Sequence, residues 1–214
     1  YLIAELVMIP FSAFLTQALS TRWLFSASAA LFTLSSIGCG LSWNIESMIF
    51  FRALQGFTGG AMVPTVFATG FAMFQGKQQA LIPAILGTVS VLAPTLGPTV
   101  GGIVTQLLDW RWIFFINILP GALVATGAVL FIHVDKADYP MLKRIDWIHL
   151  LSMAIALGCL EYVLEEGPRK NWFSDPQIQI SAWFSLVAFV LFLERSFYSK
   201  NPIVRLTPFR DPTF

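Results

Sequence analysis

The stretch Ala80-Leu81-Ile82-Pro83-Ala84-Ile85-Leu86-Gly87-Thr88-Val89-Ser90-Val91-Leu92-Ala93-Pro94-Thr95-Leu96-Gly97-Pro98-Thr99-Val100-Gly101-Gly102-Ile103-Val104-Thr105-Gln106-Leu107 carries no charged residue. A helix rises about 1.5 Å per residue, so a hydrocarbon core about 30 Å thick is crossed by about 20 apolar residues. In a water-soluble helix each Pro here costs about 3 kcal/mol and each Gly about 1 kcal/mol. A membrane helix tolerates them, because neighbouring helices re-satisfy the freed backbone groups. Gly97 and Gly101 are four apart, share one face and let another helix approach closely. Pro94 and Pro98 have the same spacing and are expected to bend or loosen the helix. The reading is a membrane span.

The rest of the chain has the same character. Of its 214 residues 56% are hydrophobic and 12% charged, and mean hydropathy is +0.71. A soluble domain has about 25% charged residues, so a water-facing globule, a disordered chain and a disulfide scaffold are excluded. Six further apolar segments lie at about 2–19, 24–42, 46–73, 112–132, 147–164 and 178–196. Runs of this length exceed any barrel strand and lack period-2 alternation. The predicted fold class is therefore all-α, a polytopic membrane helix bundle. A net charge of +1 gives no basic excess, and nucleic acid is not expected as a partner. Cys39 and Cys159 sit in apolar runs and read as packed thiols. His133 and His149 are isolated at segment ends. No phosphate loop, catalytic triad or Cys/His cluster is found, so neither metal, cofactor nor enzymatic activity is expected. The chain opens at Tyr1 inside an apolar run and reads as an internal piece of a longer protein.

Seven spans place alternate loops on opposite sides. One side receives Arg22, Lys77, Lys136, Lys143, Arg144, Arg195, Lys200, Arg205 and Arg210, the other Arg111, Arg169 and Lys170. The excess of Lys and Arg marks the first side as cytoplasmic. Trp23, Trp43, Trp110, Trp112, Trp147 and Trp172 sit at segment ends, as an interfacial belt requires.

Three strings carry a resemblance. Ala93-Pro94-Thr95-Leu96-Gly97-Pro98-Thr99-Val100-Gly101-Gly102 resembles the antiporter motif (GPxxGG) in the fifth helix of major facilitator drug:proton antiporters, with Ala93 at the usual leading Gly. Arg52-Ala53-Leu54-Gln55-Gly56-Phe57-Thr58-Gly59-Gly60-Ala61 resembles the fourth-helix motif (RxxQG) of the same family. Trp110-Arg111-Trp112-Ile113-Phe114-Phe115-Ile116-Asn117-Ile118-Leu119-Pro120-Gly121 is similar to the WRWIFFIN signature opening the sixth helix. The resemblance covers essentially the whole chain and points to the fourteen-helix EmrB/QacA-type branch. It implies that 1–132 is part of the N-terminal six-helix bundle, holding helices two to six. Residues 133–146 then form a cytoplasmic linker, 147–196 two extra membrane helices, and 197–214 a cytoplasmic lead into a second bundle. Asn201-Pro202-Ile203-Val204-Arg205-Leu206 and Phe209-Arg210 resemble that lead. One motif departs from the family: between helices two and three, Gln17 stands where the family carries Asp, and only Arg22 keeps a charge.

The resemblance further implies proton-coupled efflux of small amphipathic or cationic compounds across a bacterial inner or plasma membrane. Its partners are the lipid bilayer, protons and a small-molecule substrate, with a periplasmic adaptor and an outer-membrane channel if the cell is Gram-negative. Export of a specific metabolite, such as a siderophore or organic acid, is the alternative, and a structural membrane subunit a remoter one. Charges inside spans are costly and face a partner, a proton path or water. Arg52 lies about six residues into its segment, with Gln55 at i+3 and Gly59 at i+7 on one face. The competing reading is snorkelling to the interface beside Glu46. Gly56, Gly59 and Gly60 are the packing residues of that helix. Glu5 lies in Tyr1-Leu2-Ile3-Ala4-Glu5-Leu6-Val7-Met8-Ile9-Pro10, where a carboxyl can exchange a proton near neutrality or attract a cation. Glu161 and Glu194 lie near segment ends and read as interfacial. Asp109 and Arg111 are expected to pair across their turn and to contribute little there.

The charge asymmetry gives a first prediction. After replacement of Cys39 and Cys159, an impermeant thiol reagent applied to intact cells should label a cysteine at position 170 and spare one at 138. The reverse pattern contradicts the orientation.

Overall fold

A computed structural model of the chain describes residues 1–74, 76–199 and 203–204. Lys200, Asn201, Pro202, Arg205, Leu206, Phe209 and Arg210, to which the sequence assigns charge and a lead role, lie outside the described residues. The long helices are α1 (Leu2–Leu19), α2 (Thr21–Gly40), α3 (Ile45–Met73) and α4 (Leu81–Leu107). They are followed by the short α5 (Trp112–Phe115), then α6 (Ile118–Phe131), α7 (Trp147–Glu166) and α8 (Pro176–Tyr198). Short 3₁₀ turns occupy Gly76–Ala80, Tyr139–Arg144 and Trp172–Ser174. No strand occurs among the described residues.

Six helical stretches are long and apolar enough to cross a membrane, with α5 and α6 counted as the single stretch Trp112–Phe131. The chain is thus an all-α polytopic membrane bundle. The seventh predicted segment is α3. At 29 residues it has the length, but Arg52, Gln55 and its Gly and Thr residues dilute its apolar character. Its polar face is turned inward: Gln55, Gly56, Thr58, Gly59, Gly60 and Thr65 are all buried.

The helix ends follow from local chemistry. Asn44 and Ser47 cap the start of α3 reciprocally. Asp146 accepts the His149 N–H to open α7, and Asp175 with Pro176 opens α8. A single residue, Ser20, joins α1 to α2, and its φ of 69° lies in the left-handed region that favours glycine. The predicted span 112–132 is interrupted at Ile116–Asn117, where the Asn117 N–H bonds the Phe114 carbonyl three residues back. Pro120 has no N–H to return to Ile116, which leaves that turn without its usual bond. By contrast α4 continues as helix through both Pro94 and Pro98.

Small residues set the crossings, as expected where lipid tails leave no hydrophobic drive between helices. A Cβ on Gly56 would collide with the Tyr1 carbonyl, and one on Gly60 with the Glu5 carbonyl, so α1 lies backbone-close on α3. A Cβ on Gly59 would sit 3.3 Å from the Tyr1 hydroxyl and 3.4 Å from the Phe32 ring. Gly121 of α6 lies against Thr33 of α2, and Gly40 of α2 against Phe115 of α5. The Phe51 ring of α3 covers Gly38 of α2. α2 is therefore the central rod, touching α1, α3, α5 and α6. α7 and α8 pair with each other, joined by the Ser185 hydroxyl donating to the Ala156 carbonyl at 2.9 Å. That pair leans on α1 through Gly158, where a Cβ would lie 3.2 Å from Ile3.

The α1–α3 crossing can be tested by overpacking. Gly60→Leu forces α1 off α3 and should lower unfolding stability of the detergent-purified protein by about 1–3 kcal/mol. Unchanged stability would mean that the two helices are not in backbone contact.

Candidate functional site

The site is built around α3 where it meets α2 and the start of α6. Gln55 is 2% exposed and Ser36 fully buried. The Gln55 amide nitrogen donates to the Ser36 Oγ at 3.1 Å, and the Asn117 amide nitrogen donates to the same oxygen at 3.1 Å. The Ser36 hydroxyl in turn donates to the Phe114 carbonyl at 2.9 Å. One hydroxyl therefore uses its single donor and both acceptor positions, its full capacity. This ties α2, α3 and the α5–α6 corner together without water.

Arg52 sits at the open end of this thread. Its Nη1 reaches the Gln55 Oε1 at 3.5 Å, a long hydrogen bond. Its guanidinium lies 4.8 Å from the centre of the Phe114 ring and 5.7 Å from that of Tyr1. Both aromatic faces stabilise a cation whose head is not fully hydrated. The ion pairs among the described residues are Asp109–Arg111, Glu166–Arg169 and Asp146–Arg195. Arg52 belongs to none of them, and the competing pairing with Glu46 is not formed. Arg52 is exposed on the bundle surface, while Gln55 and Phe114, which orient it, are buried.

The remaining predicted residues divide into separate places. Glu5 is half-buried on the turn of α1 that crosses α3 at Gly60, about two helical turns along α3 from Arg52. Asp109 and Arg111 pair at 3.4 Å, both partly exposed, and the Arg111 guanidinium lies over Trp110 at 4.6 Å. Trp112 packs edge-on against Phe115 with ring centres 5.8 Å apart. Pro94, Gly97, Pro98 and Pro120 are exposed, and Gly101 and Gly102 half-exposed. A Cβ on Gly97, Gly101 or Gly102 would meet nothing within 4 Å. The α4 motif thus stands apart from the Arg52 thread, its glycine face uncovered by the described residues. At the end of α3, Met73 and the following Phe74 line a cavity of about 300 Å³ with Phe25, Ile82, Ile85 and Ile132.

The turn carrying Gln17 and Arg22 is held by the segment after α6. The Gln17 carbonyl accepts the Asp138 N–H at 3.3 Å. Asp135 accepts both the N–H and the hydroxyl of Thr21, at 2.9 Å and 2.8 Å. Arg22 Nη1 lies 3.0 Å from His133 Nε2. The α1–α2 turn and the segment after α6 are thus latched together by hydrogen bonds.

Sequence reasoning missed Ser36, Thr21 and Asp135. A serine in an apolar run carries no distinguishing signal, because it satisfies itself on its own helix as readily as on another. Ser36→Ala leaves the amides of Gln55 and Asn117 without their shared acceptor and should cost about 1–2 kcal/mol of unfolding stability. Ser36→Thr should recover most of it. An alanine variant as stable as the parent would mean that the thread holds nothing.

Residues 1–204 match the family model of the Major Facilitator Superfamily. Over all 214 residues the chain is 40% identical to the Colistin resistance protein EmrB of Acinetobacter baumannii, spanning 42% of that protein. It is 31% identical to the Fatty acid resistance protein FarB of Neisseria gonorrhoeae, with 99% of this chain and 42% of that one covered. It is 28% identical to the Multidrug export protein EmrB of Escherichia coli, covering 99% and 41%. The chain thus spans about two fifths of the length of these curated relatives. With its apolar helices this makes it a multi-pass protein of the bacterial cell membrane. The chain belongs to the Major Facilitator Superfamily.

Proposed function

We propose that the whole protein is a proton-coupled exporter of small amphipathic or cationic compounds, and that this chain supplies most of its first helix bundle. The observation that carries this reading is Arg52. A permanent cation is placed on the bundle face by a buried hydrogen-bonded thread and has no carboxylate partner among the described residues. Intramembrane charges oriented in this way mark substrate and ion pathways. In transporters built from two bundles the central site lies at their interface near the midplane. The exposed glycine face of α4, with Gly97 and Gly101, is the surface on which a second bundle can approach closely. Arg52, Gln55 and Glu5 are assigned to proton coupling and gating.

The relatives' names support the substrate class. They include colistin resistance, fatty acid resistance and multidrug export, which together favour amphipathic compounds. Export of one specific metabolite or organic acid is the second reading, favoured by the relative named for fatty acid resistance. The remaining assignments belong to the same proposal: α7 and α8 as extra helices between the bundles, the segment between α6 and α7 on the cytoplasmic side, and a periplasmic adaptor in Gram-negative cells.

The test is proton-gradient-driven efflux by the full-length protein in membrane vesicles, with one cationic and one neutral substrate. Arg52→Lys keeps the charge but loses the planar fork. Its efflux should fall about tenfold, the scale of one charge-assisted hydrogen bond, while membrane insertion is unchanged. Glu5→Gln should lose efflux of both substrates if Glu5 exchanges protons, and of the cation alone if it only attracts charge. Gly97→Leu should insert but not transport. Parental rates in all three variants would remove these residues from the mechanism.

A further inference from the structure

The most enclosed titratable side chain outside the site is His149. It is fully buried near the start of α7, at the end of the α7–α8 pair away from the Trp172–Ser174 turn. Both ring nitrogens are engaged. Nδ1 lies 3.1 Å from the backbone nitrogen of Ile203, and Nε2 lies 3.1 Å from the Ser196 Oγ on α8. An N–H can only donate, so Nδ1 must present its lone pair to Ile203. The ring proton is then on Nε2 and donates to Ser196. The contact set fixes a neutral imidazole in a single tautomer.

Ile203 is in turn buried with Phe14 and Ala18 of α1, and Met141, Leu142, Ile145, Leu150 and Val204 pack around them. Residues 203–204 therefore lie against the end of α1, and the His149 ring is the polar peg that holds the Ile203 backbone there. We propose that His149 is a proton-sensitive clasp: the neutral ring fastens residues 203–204 onto α1 and α7, and protonation of Nδ1 releases them. A proton on Nδ1 sets one N–H against another, so the bond to Ile203 is lost. Among the described residues the buried imidazolium then gains no acceptor in return.

Among the described residues, the charged groups nearest the ring are Asp146 and Arg195. Asp146, on its own side, is the acceptor for the His149 backbone N–H, for Arg195 Nη1 at 3.2 Å and for the Ser199 hydroxyl at 2.6 Å. Arg195 on α8 is that carboxylate's ion partner. Burial alone raises the Asp146 carboxyl, but the bonds from Ser199 and His149 with the Arg195 charge hold it below the usual carboxylate range. Asp146 thus stays ionised throughout the range in which an imidazole titrates. The described side chains from α1 and from 203–204 at this place, Phe14, Ala18, Ile203 and Val204, are apolar, and the Phe192 ring of α8 lies tilted against the imidazole with ring centres 5.0 Å apart. Among the described groups at this place, His149 is the one imidazole. The clasp does not depend on what the protein transports.

Hydrogen exchange of the full-length protein in lipid nanodiscs tests this, read by mass spectrometry on peptides containing residues 203–204 and corrected for the intrinsic pH dependence of exchange. Between about pH 8 and about pH 4, a window that reaches well below the ordinary imidazole range, protection at these residues should fall about tenfold, the scale of one lost hydrogen bond. His149→Gln keeps an acceptor for Ile203 and a donor for Ser196 but cannot titrate, so its protection should be equal at both pH values. PH-independent protection in the parent overturns the proposal. So does a glutamine variant that still opens in acid, because another group is then responsible.

Discussion

A polar side chain in hydrocarbon has no water to turn to, and this constraint organises the bundle. Gln55 of α3, Ser36 of α2 and Asn117 at the break before α6 satisfy one another. Each apolar contact around them can be remade with a slightly different helix rotation. The three hydrogen bonds to Ser36 cannot, since they fix the rotation of α2, α3 and α6 together. The glycine contacts do the complementary work. Gly56, Gly60, Gly40 and Gly121 set how close the rods come, and the polar thread sets which faces meet.

The consequence is a cation held in a defined place. Arg52 is exposed, yet its orientation is set through Gln55 by buried groups and by two aromatic faces. A freely snorkelling arginine has none of these contacts. At the opposite helix ends the same logic recurs around His149 and in the Thr21–Asp135 latch, where buried or half-buried polar groups bind loops to the bundle. These contacts join elements distant in sequence.

Much of this was legible in the chain itself. The helices were, because runs of about 20 apolar residues admit no other backbone-satisfied structure. The common face of Arg52 and Gln55 was legible from their i, i+3 spacing. What the sequence hid is pairing between helices. Ser36 and Asn117 are 81 residues apart, and neither spacing nor composition links them. His149 looked isolated because its partners, Ser196 and Ile203, are likewise far away in sequence. The break at Ile116–Asn117 was hidden by an apolar run that continues unchanged through it. The polar face of α3 made it look like the other spans in length but not in hydropathy, since its polar groups are spent inside the bundle.

The central claim is that Ser36 couples α3 to the start of α6, and a double-mutant cycle tests it directly. Unfolding free energies in detergent are measured for Gln55→Leu, Asn117→Leu and the double variant. Residues sharing one hydrogen-bond network show interaction energies of about 0.5–3 kcal/mol, whereas independent sites add to within about 0.5 kcal/mol. The account predicts a clearly non-additive cycle. Strict additivity would show that Gln55 and Asn117 act independently, and would contradict a single thread through Ser36.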